Sequence, residues 1–326
     1  MASNPDRNAQ RIDWAHTHLG PQADVRKLAG DASFRSYYRI EVDGRRLVLM
    51  DAPPEHEDVR PFLSVRHWME AAGVRVPHIL ESDLAQGFLL LEDFGDTTWA
   101  VHAAAGHDLT PLFADALQQI HAIQAAAAGE LPPFDVARMR RECELIPDWY
   151  LPKVAGIEPT AAEREAYHAA LLPLIEELAR LPAAPVHLDY HSRNLMLPAS
   201  GLPLGVIDFQ DAVHGPITYD LASLLYDCYQ DYPEEQRLDW SRAFFAALPA
   251  ALAAQFADFD AWHRALRLTA MQRHIKAIGI FARLAHRDGK LQFLGEIPLT
   301  RKHLLEETAA LGIDLHAIPL LQRLAA

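Results

Sequence analysis

Apolar residues change their spacing once along this chain, and that change limits the fold more than any other feature. Up to about residue 92 the apolar segments are short and strand-like, whereas from about Thr110 they recur at i, i+3 and i+4. Strands gathered at one end and helices at the other predict an α+β chain with two unequal lobes, divided as residues 1–92 and 93–326. With 326 residues, half of them hydrophobic, such a chain can bury a full core. In the first part, Ser36–Val42 and Arg45–Asp51 flank Asp43-Gly44, a pair that favours a tight two-residue hairpin turn. After Pro53-Pro54, Glu57–Ala72 has helical spacing and stops at Gly73. Gln86–Leu91 is too short for a helix and reads as a buried strand, leading into a hinge near Leu91–Gly95.

The second part predicts helices over Pro111–Ala128, Ala161–Leu181, Tyr219–Tyr229, Glu234–Phe256, Ala261–His286 and Thr300–Leu311. One stretch, Pro185–Phe209, breaks the pattern. A loop rich in His and Asp, Val186–Arg193, precedes two short apolar runs, Asn194–Leu197 and Leu204–Phe209, separated by Ser200-Gly201. A polar loop feeding a hairpin inside a helical lobe is where chemistry is expected, because rigid elements there hold exposed functional side chains.

Composition narrows the partners. Thirty basic and forty-four acidic residues give a formal net charge of −14, which argues against nucleic acid or an anionic membrane surface. The two cysteines, Cys143 and Cys228, support neither a disulfide framework nor a zinc knuckle. No signal-like N-terminus and no apolar run of about 18 residues occurs, so a cytoplasmic location is expected. No obligate protein partner is evident, and a small-molecule substrate is expected.

The chemistry concentrates in His187–Asn194 (HLDYHSRN) and Ile207-Asp208-Phe209. Transfer of a phosphoryl group needs a carboxylate to orient the attacking hydroxyl and oxygen ligands to hold a divalent cation on the phosphates. Asp189 and Asn194 share one loop, and an antiparallel hairpin would bring Asn194 beside Asp208.

HxDxxxxN followed by IDF resembles the catalytic and metal-binding elements of protein kinases, and is closer in wording to the aminoglycoside phosphotransferase family. Gly30–Arg39 (GDASFRSYYR), Val48–Glu55, Phe209–Asp227 and Met271–Leu284 extend the likeness to its cell-wall-recycling branch of amino-sugar kinases, from roughly residue 10 to residue 310. That resemblance implies a protein-kinase-like two-lobed fold, ATP and Mg²⁺ as cofactors, and phosphorylation of the anomeric hydroxyl of N-acetylmuramate or N-acetylglucosamine in peptidoglycan recycling. It also implies Asp189 as catalytic base and Asn194 and Asp208 as metal ligands. His187 would tie the loop to the hairpin, and Asp220 would buttress it.

The chain departs from protein kinases in two places. No GxGxxG loop occurs; Gly30, Asp31, Ser33, Phe34 and Arg35 stand where it would cradle phosphate. Met50 stands where the strand lysine is expected, so either Arg35 or Arg39 is expected to meet the phosphates or Mg²⁺ to carry more of their charge, and Glu57 is left without an obvious partner. Asp93-Phe94-Gly95 spells the kinase metal motif but precedes the catalytic loop, so Leu91, Glu92 and Phe94 are read as the adenine-binding hinge. Gln210, Asp211, Asp227, Arg273 and Lys276 are candidates for the sugar, the last two spaced three apart on one helix face. Another small-molecule kinase, for an aminoglycoside, choline or homoserine, is the alternative substrate reading. His187, Asp189 and His191 with Asp208 also allow a zinc hydrolase, the rival from a different class.

Overall fold

A computed structural model describes residues 5–30, 34–197 and 203–325. A helix absent from the sequence reading, α1 (Pro5–Leu19), precedes strands β1 (Asp24–Gly30), β2 (Ser36–Val42) and β3 (Arg45–Asp51). Helix α2 (Arg60–Ala71) follows, starting three residues later than its spacing suggested, then β4 (Ile79–Asp83) and β5 (Phe88–Glu92). The five strands form one antiparallel sheet in the order β1-β2-β3-β5-β4. Asp43 and Gly44 both take positive φ, 49° and 73°, and so close the β2–β3 hairpin with Val42 opposite Arg45. Helix α1 is fastened to this sheet by charge: Arg7 and Arg11 each reach one oxygen of the buried Asp51, at 2.7 and 2.8 Å.

The remainder is helical: α3 (Trp99–Ala104), α4 (Thr110–Ala125), α5 (Val136–Cys143), a π-helical turn at Ile146–Tyr150, the single turn α6 (Leu151–Lys153) and α7 (Ala161–Ala179). Strands β6 (Ala183–Val186), β7 (Leu195–Met196), β8 (Gly205–Val206) and β9 (Val213–Pro216) interrupt it. Then come α8 (Tyr219–Leu225), α9 (Glu234–Ala247), α10 (Ala250–Ala253), α11 (Phe259–Arg287), α12 (Ile297–Ala310) and α13 (Pro319–Ala325). Glu234–Phe256, read as one helix, is two. Leu248 is extended (ψ 142°) before Pro249, whose ring disfavours a helical residue ahead of it. The β7–β8 pair is the expected embedded hairpin, with Leu195 opposite Val206; its connection at Ser200-Gly201 lies outside the described residues.

One apolar core runs through both halves. Met50, Phe62 and Leu91 beside the sheet pack in the same cluster as Phe113 and Ile120 of α4, Phe209, and Leu221 of α8. The Phe62 and Phe209 rings meet at 4.8 Å between centroids. The sheet is therefore seated on the β7–β8 hairpin, and a cleft opens between them.

Candidate active site

The loop after β6 is held from three sides. Asp220, fully buried at the start of α8, accepts the amides of His187 at 2.7 Å and Leu188 at 3.0 Å. The His187 ring donates from Nε2 to the Ile207 carbonyl at 3.0 Å and accepts the Asp189 amide at Nδ1, 3.2 Å. This fixes its tautomer and ties the loop to the hairpin. With both ring nitrogens so engaged, His187 is no metal ligand. Among the described residues no three His, Cys, Asp or Glu side chains group as a metal site, so the zinc-hydrolase ligands do not assemble. Leu188 takes φ 81°, an uncommon conformation for a branched side chain, and the next residue on the loop is the half-buried Asp189. Burial would raise the Asp189 carboxyl, but the surrounding positive charge, Lys276 foremost, leaves it below the ordinary aspartate value.

Asn194 and Asp208 are brought together by the hairpin as its antiparallel pairing required. The Asn194 amide donates to the Asp189 carbonyl at 3.0 Å and lies 3.4 Å from Asp208 Oδ2. Asp208 has φ 63°, which turns its carboxylate out of the strand, and both residues line a cavity of about 340 Å³ between sheet and hairpin. One amide oxygen and a carboxylate suit a hard divalent cation whose other positions go to phosphate oxygens and water. The residues present fit Mg²⁺.

The opposite wall of the cavity contains Tyr37, Val48, Phe62 and the segment Leu91–Gly95. Glu92 is held by Arg75 at 2.6 Å, and the buried Phe94 packs so closely on Gly205 that a side chain there would enter its ring. Arg39, one of two cations expected at the phosphates, is instead bound to Asp93 at 2.6 Å and Asp96 at 2.7 Å, joining β2 to the hinge. Asp93 also accepts the Gly95 amide, so this DFG is a turn braced by its own aspartate.

The other cation, Arg35, is buried and lies 3.6 Å from Glu57. This corrects the expectation that Glu57 lacks a partner: an arginine just ahead of β2 stands beside it, while Met50 is wholly buried in the core. Gly30 ends β1 opposite Ser36, and Phe34 is exposed and stacked on His56. Asp31 and Ser33 lie outside the described residues.

The candidates for the sugar separate. Gln210 donates to Asp208 Oδ1 at 2.8 Å, and Asp211 beside it is exposed. Asp227 does not face a substrate: it is wholly buried, with its oxygens taken by the amides of Ser192 and Tyr229, both at 2.9 Å. It braces the His187–Asn194 loop from behind. Arg273 is likewise no solvated surface residue; it is buried, reaches the Ala222 carbonyl at 3.4 Å and packs over the Tyr219 ring. Lys276 sits 3.5 Å from the Tyr219 hydroxyl and 3.6 Å from Glu142. Glu142 had drawn no attention in the sequence, because nothing local connects α5 to α11.

A cleft between a small antiparallel sheet and a helical body, lined by a paired amide and carboxylate, defines a phosphotransferase of the protein-kinase-like class. Residues 24–255 match the profile of the phosphotransferase enzyme family, and the chain belongs to that family. It is 42% identical over 311 residues to a protein named N-acetylmuramate/N-acetylglucosamine kinase from Pseudomonas aeruginosa, covering 92% of this chain and 90% of the relative. A protein of the same name from Pseudomonas putida is 40% identical over 279 residues, 85% of this chain and 81% of its own. Among solved structures, a choline/ethanolamine kinase family protein from Mesorhizobium loti superposes with a TM-score of 0.63 at 14% identity, over 97% of this chain and 99% of that one.

Proposed function

We propose that this enzyme transfers the γ-phosphoryl group of ATP to the anomeric hydroxyl of N-acetylmuramate or N-acetylglucosamine. The observation that carries the reading is Asp189 on the same loop as Asn194 of the Asn194–Asp208 pair, its carbonyl 3.0 Å from the Asn194 amide, in a chain about two-fifths identical to kinases named for these sugars. Asp189 orients the sugar hydroxyl and takes its proton as the new O–P bond forms. The bond between the γ-phosphorus and the β,γ-bridging oxygen breaks, and ADP leaves with the electron pair. Bound Mg²⁺ would offset the charge of the β- and γ-phosphates, held by Asn194 and Asp208. Leu91, Glu92 and Phe94 supply the adenine wall, and Arg35, steadied by Glu57, meets the phosphates in place of the strand lysine.

A coupled ADP-release screen over amino sugars, aminoglycosides, choline and homoserine tests the substrate class. Turnover with N-acetylmuramate and N-acetylglucosamine above the ATP-hydrolysis background is expected, with phosphorus NMR placing the phosphate on the anomeric oxygen. Turnover confined to another class, or a phosphate on a different hydroxyl, contradicts the reading.

A further inference from the structure

Asp208 stands between two carboxamides, and each shows its NH₂ group to a different oxygen of the carboxylate. Asn194 Nδ2 lies 3.4 Å from Oδ2, whereas Gln210 Nε2 donates to Oδ1 in the shorter bond, 2.8 Å. An ionised carboxylate only accepts, so the Gln210 amide must turn its nitrogen toward Asp208. The same nitrogen lies 3.5 Å from Asp211 Oδ2, and Gln210 Oε1 is buried with no hydrogen-bond partner among the described residues. The hydrogen bonds of this side chain thus go to acids and not to the backbone around it. A tight turn sets its place. The Ala212 amide donates to the Phe209 carbonyl at 3.1 Å, with Gln210 and Asp211 at the corner, and Phe209 and Ala212 are both buried. Asp208 lines the 340 Å³ cavity from the residue just before that turn.

We propose that Gln210 is a positioning residue that makes the site selective for Mg²⁺ over Ca²⁺. This rests on the reading that Asn194 and Asp208 hold the cation. With Oδ1 tied to Gln210, the carboxylate is restrained from turning both oxygens to one ion, and it presents the Oδ2 edge beside Asn194. A single carboxylate oxygen suits Mg²⁺, which demands a near-ideal octahedron, whereas Ca²⁺ takes more ligands and accepts a carboxylate through both oxygens. Without the Gln210 donor, Asp208 can turn both oxygens inward. The larger ion then gains a ligand for which the smaller has no room. Gln210 touches neither nucleotide nor cation in this account; it acts through Asp208.

The measurement is the ratio of Ca²⁺ to Mg²⁺ affinity in the enzyme loaded with a non-hydrolysable ATP analogue, read by displacement of Mn²⁺ followed by electron paramagnetic resonance. The nucleotide's own preference is common to wild type and variant and cancels between them. Gln210→Leu should move the ratio toward Ca²⁺ by about tenfold, the low end for loss of a group that orients a metal ligand. Gln210→Met, closer in length and equally without a donor, should do the same. In an Asp208→Asn background only one oxygen remains for a cation, so Gln210→Leu should move the ratio no further. A purely structural role would weaken both ions equally, so an unmoved ratio overturns the proposal. So does a shift toward Mg²⁺, or one that persists with Asp208→Asn. Failure of both Gln210→Leu and Gln210→Met to fold would assign the amide to the fold and overturn it too. Metal affinity unaltered by Asp208→Ala overturns the reading of the metal pair, and the inference with it; affinity weakened by Asp208→Ala but a ratio unmoved by Gln210→Leu overturns the inference alone.

Discussion

Asp220 accepts the Leu188 amide at 3.0 Å and thereby holds that leucine at φ 81°, one residue before Asp189. A non-glycine residue kept in this region stores about 1–3 kcal/mol, which persists only when neighbours over-determine it. Asp220→Asn can satisfy only one of the two amides it now receives and turns a donor toward the other. Stability should fall by about 1–3 kcal/mol, the cost of a buried unsatisfied group, and kcat should fall with it as Asp189 loses its fixed position. Urea unfolding and turnover measured together check this; an unchanged kcat would mean that the loop holds its shape without Asp220.

His187 makes the same loop sensitive to acid. Its Nδ1 must stay unprotonated to accept the Asp189 amide, and burial pushes its pKa below the ordinary imidazole value. A depressed folded pKa means that the stability this ring contributes is present above the unfolded value near 6.5 and is lost as pH falls through the folded value. His187→Gln cannot titrate, so the difference in unfolding free energy between wild type and variant should shrink from pH 7.5 toward pH 5. A difference that stays constant with pH would contradict this account of the ring.

The Arg35–Glu57 pair predicts a specific loss in nucleotide use. Arg35→Ala should lower kcat/KM for ATP by roughly 10- to 150-fold, the scale of a charge-assisted hydrogen bond, with KM for the sugar little changed. Glu57→Gln should cost less, since it orients the guanidinium rather than meeting phosphate. Saturation kinetics in ATP decide it: an Arg35→Ala enzyme within twofold of wild type would leave the phosphates to another cation.

Legibility followed range. The β2–β3 hairpin was readable to the residue because Asp43-Gly44 dictates a turn locally, and the Asn194–Asp208 meeting followed from hairpin geometry alone. The Pro249 break was equally local, a signal outweighed in the sequence by strong helical spacing on both sides. Helix α1 was not legible, because what fastens it is Asp51, forty-odd residues away. The Arg35–Glu57 pair, the inward turn of Asp227 and the Glu142–Lys276 contact are products of tertiary packing between separate elements, and no spacing rule encodes them.

The metal pair should respond unequally. Asp208→Ala removes a charged ligand and should abolish turnover at any Mg²⁺ concentration, whereas Asn194→Ala removes a neutral one that water can replace. Titrating Mg²⁺ should therefore recover part of the Asn194→Ala activity and none of the Asp208→Ala activity. Full activity in Asp208→Ala would remove it from the site.

The central claim is that Asp189 takes the proton of the sugar hydroxyl. ADP release by Asp189→Asn with N-acetylmuramate as acceptor, measured beside nucleotide binding, tests it most directly. The substitution keeps the shape and removes the proton acceptor, so kcat should fall by roughly 10²- to 10⁴-fold while ATP affinity holds. Turnover within a few-fold of wild type would contradict the claim.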